Sequence, residues 1–299
     1  MTDKPTIGFI GLGIMGRPMA HNVRKAGYAL VVYDLQPQAV DELTAAGAQA
    51  ASSPRAVAER CDVVLLCLPD SPDVQAAMQG PDGVLAGART GQIIVDMSSI
   101  SPVVARDLAA AVAATGAVLL DAPVSGGEMG ARNGTLSIMV GGDAQALAQV
   151  MPVLQTLGSR ILHMGESGAG QVTKACNQIV IAVTIEAVAE ALVLAAKAGV
   201  DPAQVREALL GGHAFSKVLE HQGERFLRHD FSPGFRTRLQ YKDLNIALEA
   251  GRAYGAPLPA TALVHQLYGA LMAQGQSEPD HAILVTLLEH LAATTLQAD

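Results

Sequence analysis

Lys174 stands near the start of a long apolar stretch, Gly165 to Gly199, just after the small residues Gly168-Ala169-Gly170. Lysine is almost never fully buried without a partner. A cation in this setting is therefore either a proton donor in a closed site or a side chain whose ammonium snorkels out to solvent. The preceding small residues let another molecule come close, and Asn177 and Gln178 bring amides onto the same helical face. Gly11, Gly13 and Gly16 in GLGIMG have the GxGxxG spacing. Gly11 suits the tight turn, Gly13 lets a pyrophosphate approach the backbone, and Gly16 lets a helix pack closely on a strand. With Leu12, Ile14 and Met15 between them, they form a candidate dinucleotide loop. Asp34 lies about 20 residues on, where a carboxylate accepts hydrogen bonds from ribose hydroxyls. It would repel a 2′-phosphate, and Leu35 follows it instead of an arginine, so NAD is favoured over NADP. Ser125-Gly126-Gly127 places a hydroxyl before two residues without side chains, which is either an anion nest for a carboxylate or an ordinary turn.

These groups need elements to hold them. Thr6–Ile10 reads as a short strand, followed by the glycine loop and a helix to about Ala26, so the motif sits between strand and helix as its chemistry requires. A strand at Ala29–Tyr33 ends on Asp34. Helices follow at Ala39–Ala46 and Ser53–Arg60, and CDVVLLCLP is an apolar run suited to a buried parallel strand. Leu68, Pro69 and the loop to Pro72 lie at that strand's carboxyl end, where open α/β sheets bind ligands. GQIIVDMSSI is a further strand ending in Ser98 and Ser99, and Pro102 opens a helix to about Thr115. AVLLDAPVSGG and GTLSIMVGG read as strands that finish the first domain near His163.

The stretch from about 169 to 198 then reads as one helix, which at about 1.5 Å per residue would span ~45 Å and run from one domain into the next. Lys174, Glu186 and Glu190 interrupt it, and no charge-free run reaches the ~18 residues of a membrane span. The segments after Gly199 all carry helical periodicity, with Asp201 and Asp280 beside prolines as helix starts. FSPGFRTR reads as a loop bringing Arg236 and Lys242 toward a cleft, although Arg236 is equally well read as a solvated surface charge. The expected division is residues 1–164 and 165–299.

With 299 residues, 50% of them hydrophobic, there is ample core for two domains, packed with little aromatic material. The net charge of −8 and the lack of a basic run disfavour nucleic acid and anionic membranes as partners. Cys61, Cys67 and Cys176 form no CxxC and read as buried, inert thiols, and the scattered histidines suggest no metal. No charged-then-apolar leader is evident, so a cytoplasmic location is expected.

FIGLGIMGRPMAHNVRKAG, DAPVSGG, GAGQVTKACNQ and YKDLNIAL, in this order and spread over the chain, resemble the β-hydroxyacid dehydrogenase family. The resemblance implies an α/β, Rossmann-type doubly wound N-terminal domain and an all-helical C-terminal domain joined by the long helix. It further implies dimers or tetramers formed through the helical half, and reduction of a small carboxylate semialdehyde by a nicotinamide cofactor. GIMGRPM, DMSSI, SPGFR and KDLNIAL resemble most the members that act on 2-hydroxy-3-oxopropanoate. The alternatives are a 3-hydroxyisobutyrate-type substrate or, more remotely, a non-catalytic NAD-binding module. By the same resemblance Lys174 is the catalytic lysine, and Ser125, Gly126 and Gly127 hold the substrate carboxylate. Lys242 closes over substrate and nicotinamide, and Ser99 touches the cofactor. Many relatives carry Asn four residues after the lysine; here Gln178 occupies that place and Asn177 precedes it, with Asn177 the favoured substrate contact.

Overall fold

A computed structural model of the chain describes residues 4–296, so the outermost ends of both expected domains lie outside the described residues. Contacts divide the chain into two compact units, Met1–Lys174 and Ala175–Asp299.

The first unit begins with β1 (Ile7–Ile10), α1 (Gly16–Lys25), β2 (Leu30–Tyr33), α2 (Pro37–Ala45), β3 (Gln49–Ala50), α3 (Pro54–Arg60) and β4 (Val63–Leu66). It continues with α4 (Ser71–Gln79), α5 (Val84–Gly87), β5 (Ile93–Asp96), α6 (Pro102–Ala113) and β6 (Val118–Asp121). These strands pair in parallel in the order β3-β2-β1-β4-β5-β6, with Phe9 opposite both Val32 and Leu65. This is the doubly wound order, whose direction of winding reverses beside β1. Every residue of β1, β4 and β5 is buried, because helices cover both faces of the sheet. The side chains alternate accordingly: Ile7, Phe9 and Leu65 enter one core, while Ile10, Val64 and Leu66 enter the other.

Beyond β6 the chain departs from the sequence expectation. It forms β7 (Val124–Ser125), α7 (Gly127–Asn133), β8 (Leu136–Gly141), α8 (Ala144–Leu154) and β9 (Gly158–Gly165). Thus AVLLDAPVSGG and GTLSIMVGG are separated by a short helix, and a further helix and strand complete the unit. β8 runs antiparallel to β6 and β7 and parallel to β9. Asp143 marks the start of α8, its Oδ1 accepting the Ala146 N–H at 2.7 Å, a capping signal the strand reading overlooked. The expected loop Pro69–Pro72 also needs correction. Asp70 Oδ1 accepts the Ser71 N–H, and α4 has begun by Pro72, whose missing N–H is no loss in a first helical turn.

α9 (Ala169–Lys197) is a single helix of 29 residues, and its later turns belong to the second unit. It is followed by α10 (Pro202–Leu210), α11 (Lys217–Arg228), α12 (Thr237–Tyr254), α13 (Pro259–Ala273), a 3-10 turn (His281–Ile283) and α14 (Leu284–Ala292). No strand is formed among the described residues of this unit. Ala182, Ile185, Ala189 and Leu192 of α9 pack with Phe226, Leu244, Tyr268 and Leu284 in one core. α9 is long and apolar enough to meet the length and hydropathy of a membrane span, as core helices also do. Glu186, 9% exposed, and the more exposed Glu190 interrupt it one turn apart. Cys61 is buried, and burial pushes its thiol up to about 12; Cys67 is half-buried, but Cys176 is exposed, contrary to the expectation of buried thiols.

Candidate active site

The reversal of winding falls between β1 and β4, and the glycine loop leaves the carboxyl end of β1. Gly11 has φ +92°, and a Cβ there would lie 2.3 Å from the Cys67 carbonyl oxygen. A Cβ on Gly16 would lie 1.9 Å from the Gly11 carbonyl oxygen, so α1 can start this close only without a side chain. Gly13 differs, because a Cβ there would meet nothing within 4 Å. The protein's own packing does not require glycine at that place; an approaching ligand would. α1 begins without a side-chain cap, and the Arg17 N–H donates to the Gly13 carbonyl at 3.0 Å; helix starts of this kind are where phosphates bind. Leu12 is buried, Met15 is half-buried, and Ile14 is exposed.

Asp34, half-buried at the end of β2, holds this loop. Its Oδ2 accepts the Leu12 N–H at 2.5 Å and its Oδ1 the Gln36 N–H at 2.8 Å. A carboxylate has about four acceptor sites, so sites remain for ribose hydroxyls. The neighbouring Leu35 is 86% exposed. At the ends of β4 and β5, Ser98 Oγ accepts the Leu68 N–H at 2.8 Å and ties the two loops together. Pro69 is exposed and Ser99 half-buried beside this link.

β6 leads through Ala122 and Pro123 to Ser125, which pairs with Ser137 of β8. Gly126 and Gly127 then take φ +134° and +61°, and open space faces Gly127. Both values favour glycine, so this loop is built for residues without side chains. Glu128 in the next turn is held by Arg132, with N–O distances of 2.5 and 2.8 Å.

Lys174 is buried, only 8% exposed, on the second turn of α9. The start of that helix is fixed by two buried side chains the sequence reading passed over. Asp121, the last residue of β6, accepts the Gly168 N–H at 2.7 Å on Oδ1 and the Gln171 N–H at 2.9 Å on Oδ2. Burial raises its carboxyl above the usual range, while these amides pull it back down. Gln171 Nε2 donates to the Ser98 carbonyl at 2.8 Å, and its Oε1 accepts the Ile100 N–H at 3.1 Å.

In the second unit, Asn177, Gln178 and Lys242 meet in one network. Asn177 Nδ2 donates to Gln178 Oε1 at 2.8 Å, and Gln178 Nε2 donates to Asp243 Oδ2 at 2.7 Å. Lys242 Nζ lies 3.2 Å from Asp243 Oδ1. Gln178 and Asp243 are almost fully buried, while Asn177 and Lys242 retain exposure. Arg236 is a surface charge, its Nη1 2.6 Å from Glu278 Oε2. Asp243 too was missed. Only Gln171, one turn before the buried lysine, carried a local signal; the partners of Asp121 and Asp243 are distant in sequence.

The first unit therefore fits a dinucleotide: an uncapped helix start, an unobstructed Gly13 and a carboxylate at the end of β2. With a buried lysine and the open Ser125-Gly126-Gly127 loop in the same unit, the fold and site define a nicotinamide-dependent oxidoreductase. Comparison with known proteins agrees. Residues 6–165 match the NAD-binding domain of 6-phosphogluconate dehydrogenase, and residues 168–288 match the NAD-binding domain of NADP-dependent 3-hydroxyisobutyrate dehydrogenase. The chain belongs to the β-hydroxyacid dehydrogenase family, the group that includes the 3-hydroxyisobutyrate dehydrogenases. It is 48% identical to the 2-hydroxy-3-oxopropionate reductase of Escherichia coli, over 96% of this chain and 98% of that one. It is 41% identical to an NAD-dependent L-serine dehydrogenase of Pseudomonas aeruginosa, over 95% of this chain and 97% of that one. Among solved structures, 3-hydroxyisobutyrate dehydrogenase of Mycobacterium tuberculosis with L-serine superposes with a TM-score of 0.89, at 35% identity, covering 96% of this chain and 99% of that one.

Proposed function

We propose that the protein reduces 2-hydroxy-3-oxopropanoate (tartronate semialdehyde) to glycerate, with NADH preferred as the hydride source. The observation that carries this reading is the buried Lys174 on a helix whose start is fastened to the strand that leads into Ser125-Gly126-Gly127. A reduced nicotinamide held at Gly11–Gly16 and Asp34 would supply the hydride for the aldehyde carbon. As negative charge develops on the carbonyl oxygen, the Lys174 ammonium stabilises it and delivers the proton; in the oxidative direction the amine takes it back. The Ser125 hydroxyl and the amides of Gly126 and Gly127 hold the substrate carboxylate, so the reacting carbon is presented in one orientation.

The named relatives differ in the group on the middle carbon of a three-carbon acid: hydroxyl in glycerate, amino in L-serine, methyl in 3-hydroxyisobutyrate. Asn177 and Lys242, steadied by Gln178 and Asp243, are the polar groups we assign to a hydroxyl there. The similarity to the Escherichia coli reductase supports the same substrate. Asp34 with Leu35 supports NADH, because a carboxylate repels a 2′-phosphate and leucine offers it no partner. We further expect a dimer or tetramer formed through the helical half, which light scattering on the eluting protein measures.

The test is NADH consumption over a panel of short semialdehydes, repeated with NADPH. Turnover of tartronate semialdehyde with a higher kcat/KM for NADH is expected. No turnover of any semialdehyde would sink the reductase reading, and an NADPH preference would sink the cofactor assignment alone.

A further inference from the structure

We propose that Asp121 and Gln171 are positioning residues that set Lys174 against the Ser125-Gly126-Gly127 loop and the Ser99 loop. The inference rests on the reductase reading and names what holds its parts in register. The first amides of a helix lack partners within the helix. At α9 a carboxylate from a distant strand supplies them, since the Asp121 oxygens take the Gly168 and Gln171 N–H groups. The approach is close enough to exclude side chains. A Cβ on Gly170 would lie 2.5 Å from the Asp121 carbonyl oxygen, and one on Gly141 would lie 2.5 Å from Asp121 Oδ1. Asp121 thus joins the helix that carries Lys174 to the strand that runs into Ser125-Gly126-Gly127.

Gln171, 1% exposed, adds a second link. Its amide takes the Ser98 carbonyl and the Ile100 N–H, the backbone groups on either side of Ser99. Lys174 lies one turn further along α9, on the face that Gln171 occupies. Neither Asp121 nor Gln171 need touch a substrate to matter. Both act through the placement of groups that do, and misplacement by about 1 Å can cost ~10²-fold in rate.

The variants are Gln171→Met, which keeps volume and removes both amide bonds, and Asp121→Asn, which keeps one accepting oxygen. For each, NADH binding by fluorescence counts the folded sites, and kcat per NADH-binding site is measured. For Gln171→Met that kcat, measured at saturating NADH, falls ~10²-fold, while the NADH Kd rises by a smaller factor through the Ser99 loop and substrate KM is altered much less. Asp121→Asn, which keeps one accepting oxygen, loses less than a third variant, Asp121→Ala, which keeps none, and the alkaline limb of the kcat profile shifts in both Asp121 variants. A purely structural role would lower the number of binding sites and leave kcat per site and its pH profile untouched; that result overturns the proposal. Amide hydrogen exchange needs no substrate and separates this inference from the reductase reading. Faster exchange confined to residues 98–100 and 168–174 in the variants is expected whether or not any semialdehyde is turned over. Unchanged exchange there would refute the clamp while leaving the reductase reading intact.

Discussion

In the α/β unit two glycine loops take their shape from the backbone, with Asp34, Asp121 and Gln171 bonding to backbone groups around them; in the helical unit side chains hold one another. Gly11, Gly16, Gly126 and Gly127 fix the two loops through positive φ or through approaches that leave no room for a Cβ. In the helical unit, Asn177 is aimed by Gln178, Gln178 by Asp243, and Lys242 by the same carboxylate. The network extends through Gln240, whose Nε2 reaches the Gln178 carbonyl at 3.4 Å and whose Oε1 lies 3.1 Å from His281 Nδ1. Burial lowers the His281 imidazole to about 4, with Asp280 opposing, so His281 is neutral at physiological pH. The glycine loops are sensitive to an added Cβ at Gly11 and Gly16, where it would meet backbone. A side-chain network tolerates backbone movement but fails when one member is lost.

The largest expected effect strips out chemistry and leaves both frameworks in place. Lys174→Ala should lower kcat by ~10³-fold or more while NADH binds as before. A variant keeping more than a tenth of the wild-type kcat would refute the proton-donor assignment.

A smaller effect separates the glycines. Gly13→Ala should fold with an unchanged Tm, because nothing lies within 4 Å of the added methyl, and should bind NADH ~10-fold or more weakly. Gly16→Ala should lose stability as well, since its methyl meets the Gly11 carbonyl. Equal Tm losses in the two variants would show that both glycines serve packing alone.

This contrast explains what was legible in the sequence. The spacing of Gly11, Gly13 and Gly16, followed by Asp34, is a local pattern, and the fold keeps each residue where that pattern implies. β1, β4 and β5 are short apolar runs read as strands because parallel pairing buries both of their faces, whereas the exposed two-residue β3 gave no such run. Asp121 was illegible because its partners lie 47 and 50 residues away in sequence. Asp243 was illegible for the same reason, lying 65 residues from Gln178. α7 was missed because GGEMGARN is glycine-rich and its helix is set by the two positive-φ glycines instead of by propensity.

The smallest effect tests the buried acid of the helical unit. Burial pushes the Glu186 carboxyl up from 4.5 to about 7, with the hydrogen bond and charge of Glu190 adding to it. A raised carboxyl means the folded state holds the proton more tightly. The stability this confers is complete below about 4.5 and is lost as pH rises through about 7. Glu186→Gln should therefore raise Tm relative to wild type by about 2–4 °C at pH 8.5 and not at pH 5. The same shift at both pH values would contradict the assigned cause.

The reaction and its substrate are tested together by kcat/KM for tartronate semialdehyde and methylmalonate semialdehyde, measured side by side with NADH. Both carry the carboxylate for Ser125-Gly126-Gly127 and the aldehyde for Lys174, and they differ only in hydroxyl against methyl on the middle carbon. A site whose buried polar groups pair with the hydroxyl leaves them unpaired when methyl enters, and such sites discriminate by roughly 10⁴. A hydrophobic pocket built for methyl rejects hydroxyl only by about 10². The account predicts a strong preference for tartronate semialdehyde; equal values, or a preference for the methyl compound, would contradict it.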